Sequence, residues 1–156
     1  MTLKESTSPA IVKLLPILIF SFLLTLPGCD SGPEMGAVSG TVTLDGEPLR
    51  FGSVMFQNVS GGQPAVGEIR PDGTFVLSTF RPEDGATLGS HRIRVVCYSS
   101  QEPKADGQSG PAGDALGRLL IPVRYTSIGG SGLSAEVTSE GLINFPIELT
   151  SKRSSR

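Results

Sequence analysis

Residues 91–99 read HRIRVVCYS. Ile93, Val95 and Cys97 fall on one parity, and Arg92, Arg94 and Tyr98 on the other. Successive side chains of a strand leave on opposite sides, so this alternation marks a strand with one buried face. The same period of two recurs in both directions. Upstream, VSGTVTL (38–44) sets Val38, Gly40, Val42 and Leu44 against Ser39, Thr41 and Thr43. SVMFQNV (53–59) turns Val54 and Phe56 inward, AVGEI (65–69) aligns Ala65, Gly67 and Ile69, and TFVLST (74–79) aligns Phe75 and Leu77. Downstream, LSAEVT (133–138) offers Leu133, Ala135 and Val137, and INFPIEL (143–149) offers Phe145, Ile147 and Leu149. Pro146 has no N–H for a ladder, so this last strand is an edge or carries a bulge. Its protection, with Glu148 on the same outward face, predicts a monomeric soluble domain. Turn signals separate the strands: DGEPLRFG (45–52), Gly61-Gly62 with Pro64, and Arg70-Pro71-Asp72-Gly73, where Pro suits position i+1 and Gly i+3 of a type I turn. PEDGATLGS (82–90) reads as a loop. Seven strands between residues 37 and 150, with no helix of three turns, predict an all-β, seven-stranded antiparallel Greek-key sandwich.

Composition agrees with one globular domain. The 156 residues hold 38 % hydrophobic and 18 % charged residues, no Trp, 20 Gly and 12 Pro, which is neither a disordered nor a long-helix composition. A net charge of −2 makes no electrostatic case for nucleic acid. One His and two Cys exclude most metal and catalytic sites built from those residues.

The N-terminus reads as an address. Lys4 and Lys13 precede an apolar run from Leu14 to Leu26. That run is too short to cross a hydrocarbon core, which takes roughly 20 residues, and it matches the apolar centre of a secretory signal peptide. It ends at Leu26-Pro27-Gly28-Cys29, which resembles the lipobox of bacterial lipoproteins: a branched apolar residue at −3, small residues at −2 and −1, then an obligatory Cys. Leu26, Gly28 and Cys29 fit, and Pro27 at −2 departs from the pattern. The resemblance implies a signal peptide over 1–28, cleavage before Cys29, diacylglycerol on its sulfur and often a further acyl chain, such as palmitate, on its new amine. Two or three chains meet the requirement for stable anchoring. The localisation implied is a lipid-anchored protein on the extracytoplasmic side of the cell membrane or outer membrane. An ordinary signal peptide cut nearby would instead leave Cys29 a free thiol. Residues 29–36 then form the lipidated Cys and a tether, 37–150 the domain, and 151–156 a short basic tail that frays. With Cys29 lipidated, Cys97 has no disulfide partner within the chain.

VSGTVTLDGEPL, then SVMF, PDGTFVL and DGATLGSHRIRV follow the order of elements in the carboxypeptidase regulatory-like, or transthyretin-like, sandwich family, which residues 37–98 resemble. LIPVRYTS, SGLSAEV and FPIEL resemble the C-terminal half of small bacterial lipoproteins built on this domain. The resemblance implies a fold and says little about function, because one sandwich hosts many roles.

Several residues could carry chemistry. Four Asp-Gly pairs begin at Asp45, Asp72, Asp84 and Asp106. Calcium takes 6–8 oxygens from clustered carboxylates, whereas these pairs stand almost alone and suit turns. His91, at the parity of Ile93, belongs at the rim of the core. Transthyretin-like hydrolases use several His, an Arg and a C-terminal Tyr-Arg-Gly-Ser; this chain has one His and ends Ser-Lys-Arg-Ser-Ser-Arg. No Gly-x-Ser-x-Gly elbow is present. Cys97 reads as a small core residue. Arg92, Arg94 and Arg124 form either a basic patch for an anionic ligand or an ordinary solvated face. The stretch 99–118, SSQEPKADGQSGPAGDALGR, reads as a long flexible loop, a length usually functional or disordered, and the following LLIPVRY as packing along the domain edge. The expectation is a non-catalytic module of the bacterial cell envelope. It needs no cofactor, is tethered to membrane through Cys29, and contacts an envelope protein or glycan. Two alternatives are a peptide- or glycan-binding domain using loop 99–118 and a transthyretin-like hydrolase centred on His91.

Overall fold

The computed structural model describes residues 32–103 and 117–152. In chain order the strands are β1 (Met35–Gly36), β2 (Val38–Leu44), β3 (Glu47–Pro48), β4 (Ser53–Asn58), β5 (Ala65–Glu68), β6 (Thr74–Val76), β7 (Ala86–Thr87), β8 (Gly89–Val96), β9 (Leu133–Val137) and β10 (Leu142–Leu149). Single 3-10 turns lie at Ser99–Gln101 and Val123–Thr126. The seven strands read from periodicity are all present. Three two-residue strands join them: β1 and β3, too short to show a period, and β7 inside the expected loop 82–90.

Two four-stranded sheets form the body of the domain. One has the order β5-β4-β8-β9 and is antiparallel throughout. In the other, β2 pairs with β10 on one side and shares its other side between β3 and β6. β1 and β7 form a small antiparallel pair. The β2–β10 pair is parallel, Phe145 lying opposite Gly40 and Ile147 opposite Val42. This corrects the expectation of a wholly antiparallel domain. Alternation tells which face a residue takes and carries no information about strand direction. The turn Thr138–Gly141 leads β10 away from β9 into the other sheet, so the two do not form a hairpin.

The inward residues of both sheets meet in one core that includes Val38, Val42, Val54, Phe56, Phe75, Leu77, Ile93, Val95, Cys97, Val137, Ile147 and Leu149, all buried. Phe56 sits at its centre, with ring centroids 6.3 Å from Phe75 and 6.2 Å from Phe145, both on the opposite sheet. Gly40 makes room for them: a Cβ there would strike the Phe145 carbonyl oxygen and stand 2.9 Å from two atoms of the Phe75 ring. LLIPVRY packs as expected, burying Ile121 and Tyr125.

At the β2–β3 hairpin Asp45 and Gly46 both have positive φ, 52° and 91°, which a two-residue type I′ turn demands and Asp-Gly supplies at low strain. β10 lies at an edge and also carries a bulge. Leu142 pairs with Val38 and Phe145 with Gly40, so Ile143 and Asn144 together oppose Ser39, and Asn144 takes φ 58°. Pro146 and Glu148 follow on the exposed face. Replacing Pro146 with Val and Glu148 with Thr gives this edge a continuous, neutral, β-prone surface. Light scattering is expected to show concentration-dependent dimers or aggregates in the double variant that the parent lacks. A parent that is itself a stable dimer, or a double variant that stays monomeric at high concentration, contradicts edge protection.

Candidate functional site

The lipobox residues Leu26, Pro27, Gly28 and Cys29 lie outside the described residues, as do Asp106 and positions 104–116 of the long loop. The chain joins the domain at a defined place. Glu34 accepts a backbone hydrogen bond from Leu88 (3.1 Å), and Met35 pairs with Thr87. Five peptide steps separate Cys29 from Glu34, a reach of about 17 Å at full extension.

Just beneath β1 and β7 lies a buried polar group. His91 is 1 % exposed, not at the rim but inside, its ring 6.0 Å from that of Phe56. Its Nδ1 donates to the Gly89 carbonyl (2.9 Å), and its Nε2 stands 3.5 Å from Thr87 Oγ1. Asn58, buried at the same inward parity as Phe56, donates to Thr87 Oγ1 (3.1 Å) and to the Leu88 carbonyl (2.9 Å), and accepts from the Ser60 N–H (2.8 Å). The group knits the β4–β5 loop to β7 and the start of β8, with the imidazole buried beneath them. The sequence reading passed over Asn58; its parity with Val54 and Phe56 in SVMFQNV was the available signal, while its partners lie some thirty residues away.

The three arginines do not converge. Arg92 and Arg94 share the outer face of β8, where Arg94 Nε donates to Met55 Sδ (3.2 Å) and Arg92 lies between Gln57 and Ser134 of the neighbouring strands. Arg124 instead clamps the end of the domain remote from β1. Its guanidinium covers the Tyr125 ring at 4.5 Å and donates to Tyr125 Oη, to the Thr150 carbonyl and to the Lys152 carbonyl. Tyr125 Oη in turn accepts from the Thr150 N–H (3.1 Å), and Asp45 accepts from the Ser151 N–H (2.9 Å). Ser151 and Lys152 are therefore fixed, against the expectation of fraying for that part of the tail; 153–156 lie outside the described residues.

Cys97 is buried, and burial, with a smaller contribution from the charge of Glu102, raises its thiol to about 11. At neutral pH it is a protonated core side chain rather than a nucleophile. The two ends of the long loop meet: Ser99 N–H donates to the Arg118 carbonyl (2.9 Å), Arg118 N–H to Ser99 Oγ (2.9 Å), and Tyr98 bridges to Leu119.

The three described Asp-Gly carboxylates act as turn acceptors. Hydrogen bonds from Ser151 above all, and from Thr74, hold Asp45 and Asp72 respectively below the usual carboxylate range. Asp84 accepts from the backbone N–H groups of Thr79 (2.6 Å), Phe80 (2.9 Å) and Arg81 (2.8 Å). Partial burial pushes its carboxyl up, but the three donors outweigh this and leave it below its ordinary 3.8. Among the described residues no three or more His, Cys, Asp and Glu gather as metal ligands.

Asp84→Ala strips three N–H groups of their acceptor and is expected to cost about 1–3 kcal/mol of stability at pH 7. Because folding lowers the Asp84 pKa, the carboxylate's contribution is complete above pH 3.8 and is lost as pH falls through the folded value. Urea unfolding of parent and variant across pH 2–7 should show the gap narrowing only below about pH 4. A gap that is independent of pH, or absent at pH 7, contradicts this role.

No protein family, curated protein or solved structure matches the chain.

Proposed function

We propose that the chain is a lipid-anchored, extracytoplasmic module of the bacterial cell envelope with a non-catalytic binding or structural role. The observation that carries this reading is the apolar run Leu14–Leu26 ending at Leu26-Pro27-Gly28-Cys29, followed within a few residues by the first hydrogen bonds of a β domain. A leader, a lipid acceptor, a short tether and a domain then follow in order. Residues 1–28 are the signal peptide, Cys29 carries the acyl chains, and the domain acts on the far side of the membrane from the cytoplasm. The interior position of His91 and the raised thiol of Cys97 support a non-catalytic role, as does the use of Arg124 to clamp the chain end.

We read the seven strands of three or more residues as a Greek-key sandwich of the transthyretin-like, carboxypeptidase regulatory-like kind. Support comes from the way the chain passes repeatedly between the two sheets: β2 in one, β4 and β5 in the other, β6 back beside β2, β8 and β9 again in the second, and β10 returning to the far side of β2.

Expressed in a bacterial host, the chain is expected in the membrane fraction, released by detergent, with acyl mass on the Cys29 peptide. Cys29→Ala is expected to move most of the protein into the soluble fraction. A Cys29→Ala protein that still sediments with membrane and needs detergent for release overturns the anchor.

A further inference from the structure

We propose that the end of the domain bearing β1, β7 and the Ser78–Asp84 loop docks on the lipid bilayer itself, with Phe80 and Val59 entering the interfacial zone. This rests on the lipid-anchor reading above and adds an orientation to it.

Large apolar side chains left in water are unevenly placed. Among the described residues there are five: Val59, Val66, Phe80, Val123 and Ile143. Three gather where the tether joins. Phe80 (55 % exposed) follows Thr79, in a loop whose closing residue Gly85 abuts the Gly36 carbonyl. Val59 (57 %) donates its N–H to the Ser90 carbonyl beside the start of β8. Ile143 (58 %) follows Leu142, whose N–H donates to the Ala37 carbonyl. Val123 lies at the opposite end, beside the Arg124 clamp.

The Phe80 loop is built to hold its ring outward. The Asp84 carboxylate fixes the backbone N–H groups of residues 79–81, Ser78 Oγ accepts from Glu83 N–H (2.8 Å), and Gln63 Nε2 donates to the Thr79 carbonyl (3.2 Å), tying this loop to the one that carries Val59. The exposed aromatic ring is thus presented on a rigid frame. The tether supplies the occupant. Five peptide steps reach at most about 17 Å, so lipid on Cys29 keeps this end within that distance of the headgroups, while the Val123 end stands a further strand length away, about 20 Å. Charges at this end are mixed: Glu34, Glu83 and Glu140 stand with Arg81, next to Phe80, and Arg70 pairs with Glu83 at 3.5 Å, so the attachment is apolar and does not select anionic lipid.

The chain has no Trp and two Tyr, so each of Phe80→Trp, Val59→Trp and Val123→Trp creates a single tryptophan that can be excited apart from the tyrosines. Each full chain is expressed in a bacterial host, purified from membranes and reconstituted into phosphatidylcholine vesicles with or without brominated acyl chains. Phe80→Trp and Val59→Trp are expected to be blue-shifted and quenched at least twofold by brominated lipid, unchanged in 0.5 M salt; Val123→Trp is expected to be quenched by less than a tenth. Quenching that is equal in all three, or absent from Phe80→Trp and Val59→Trp in protein that floats with the vesicles, overturns the docking and leaves the anchor standing. Protein that does not float, and whose Cys29 peptide carries no acyl mass, overturns the anchor and the docking with it.

Discussion

The contact on which the rest of the structure depends is that of the Phe56 ring with Phe75 and Phe145 across the core. Phe56 belongs to the antiparallel sheet, and its two aromatic partners belong to the other one. Such aromatic pairs contribute about 0.5–1.5 kcal/mol each beyond the area they bury. The meeting requires a flat floor, which Gly40 provides midway along β2, between Phe75 on one neighbouring strand and Phe145 on the other. The apolar residues Val38 and Val42 then close the core above and below that gap.

The parallel pairing of β2 with β10 has a consequence for function. Both strands begin at the end where the tether joins and finish at the opposite end, where Asp45, Arg124 and Tyr125 hold Thr150, Ser151 and Lys152. The chain's entry into the domain at Glu34 and the clamped C-terminal corner are thus separated by the length of the strands. In a lipid-anchored protein this geometry holds one end near the bilayer and turns the other outward, where an envelope partner would meet it.

Much of this was legible in the sequence because period-two alternation reports burial directly. HRIRVVCYS, VSGTVTL and SVMFQNV bury the residues their parity assigns, except Leu44 at the end of β2, which is only half-buried. Pro146 pointed to an edge or a bulge, and β10 has both. Strand direction was not legible, because parallel and antiparallel partners show the same alternation. The short strands β1, β3 and β7 were hidden because two residues carry no period. The depth of His91 and the clamp role of Arg124 depend on residues distant in sequence, Phe56 for the first and Thr150 for the second. The Asp-Gly pairs announced turns, yet nothing in the sequence distinguished Asp84, with three backbone donors, from Asp72, which serves only Thr74. Lipidation was read from residues that precede the domain, and its support remains the pattern at Leu26–Cys29.

If the two sheets fold as one unit around Phe56, equilibrium unfolding of Phe56→Ala will show it. Truncating a buried Phe costs about 3–5 kcal/mol, and Phe56→Leu, which keeps most of the volume, keeps the experiment readable if the alanine variant is largely unfolded. A loss of that size is expected for alanine and a smaller one for leucine. Far-ultraviolet circular dichroism and the fluorescence of Tyr98 and Tyr125 should follow a single coincident transition in both. A loss below about 1 kcal/mol for alanine, or separate transitions for the two probes, would contradict it.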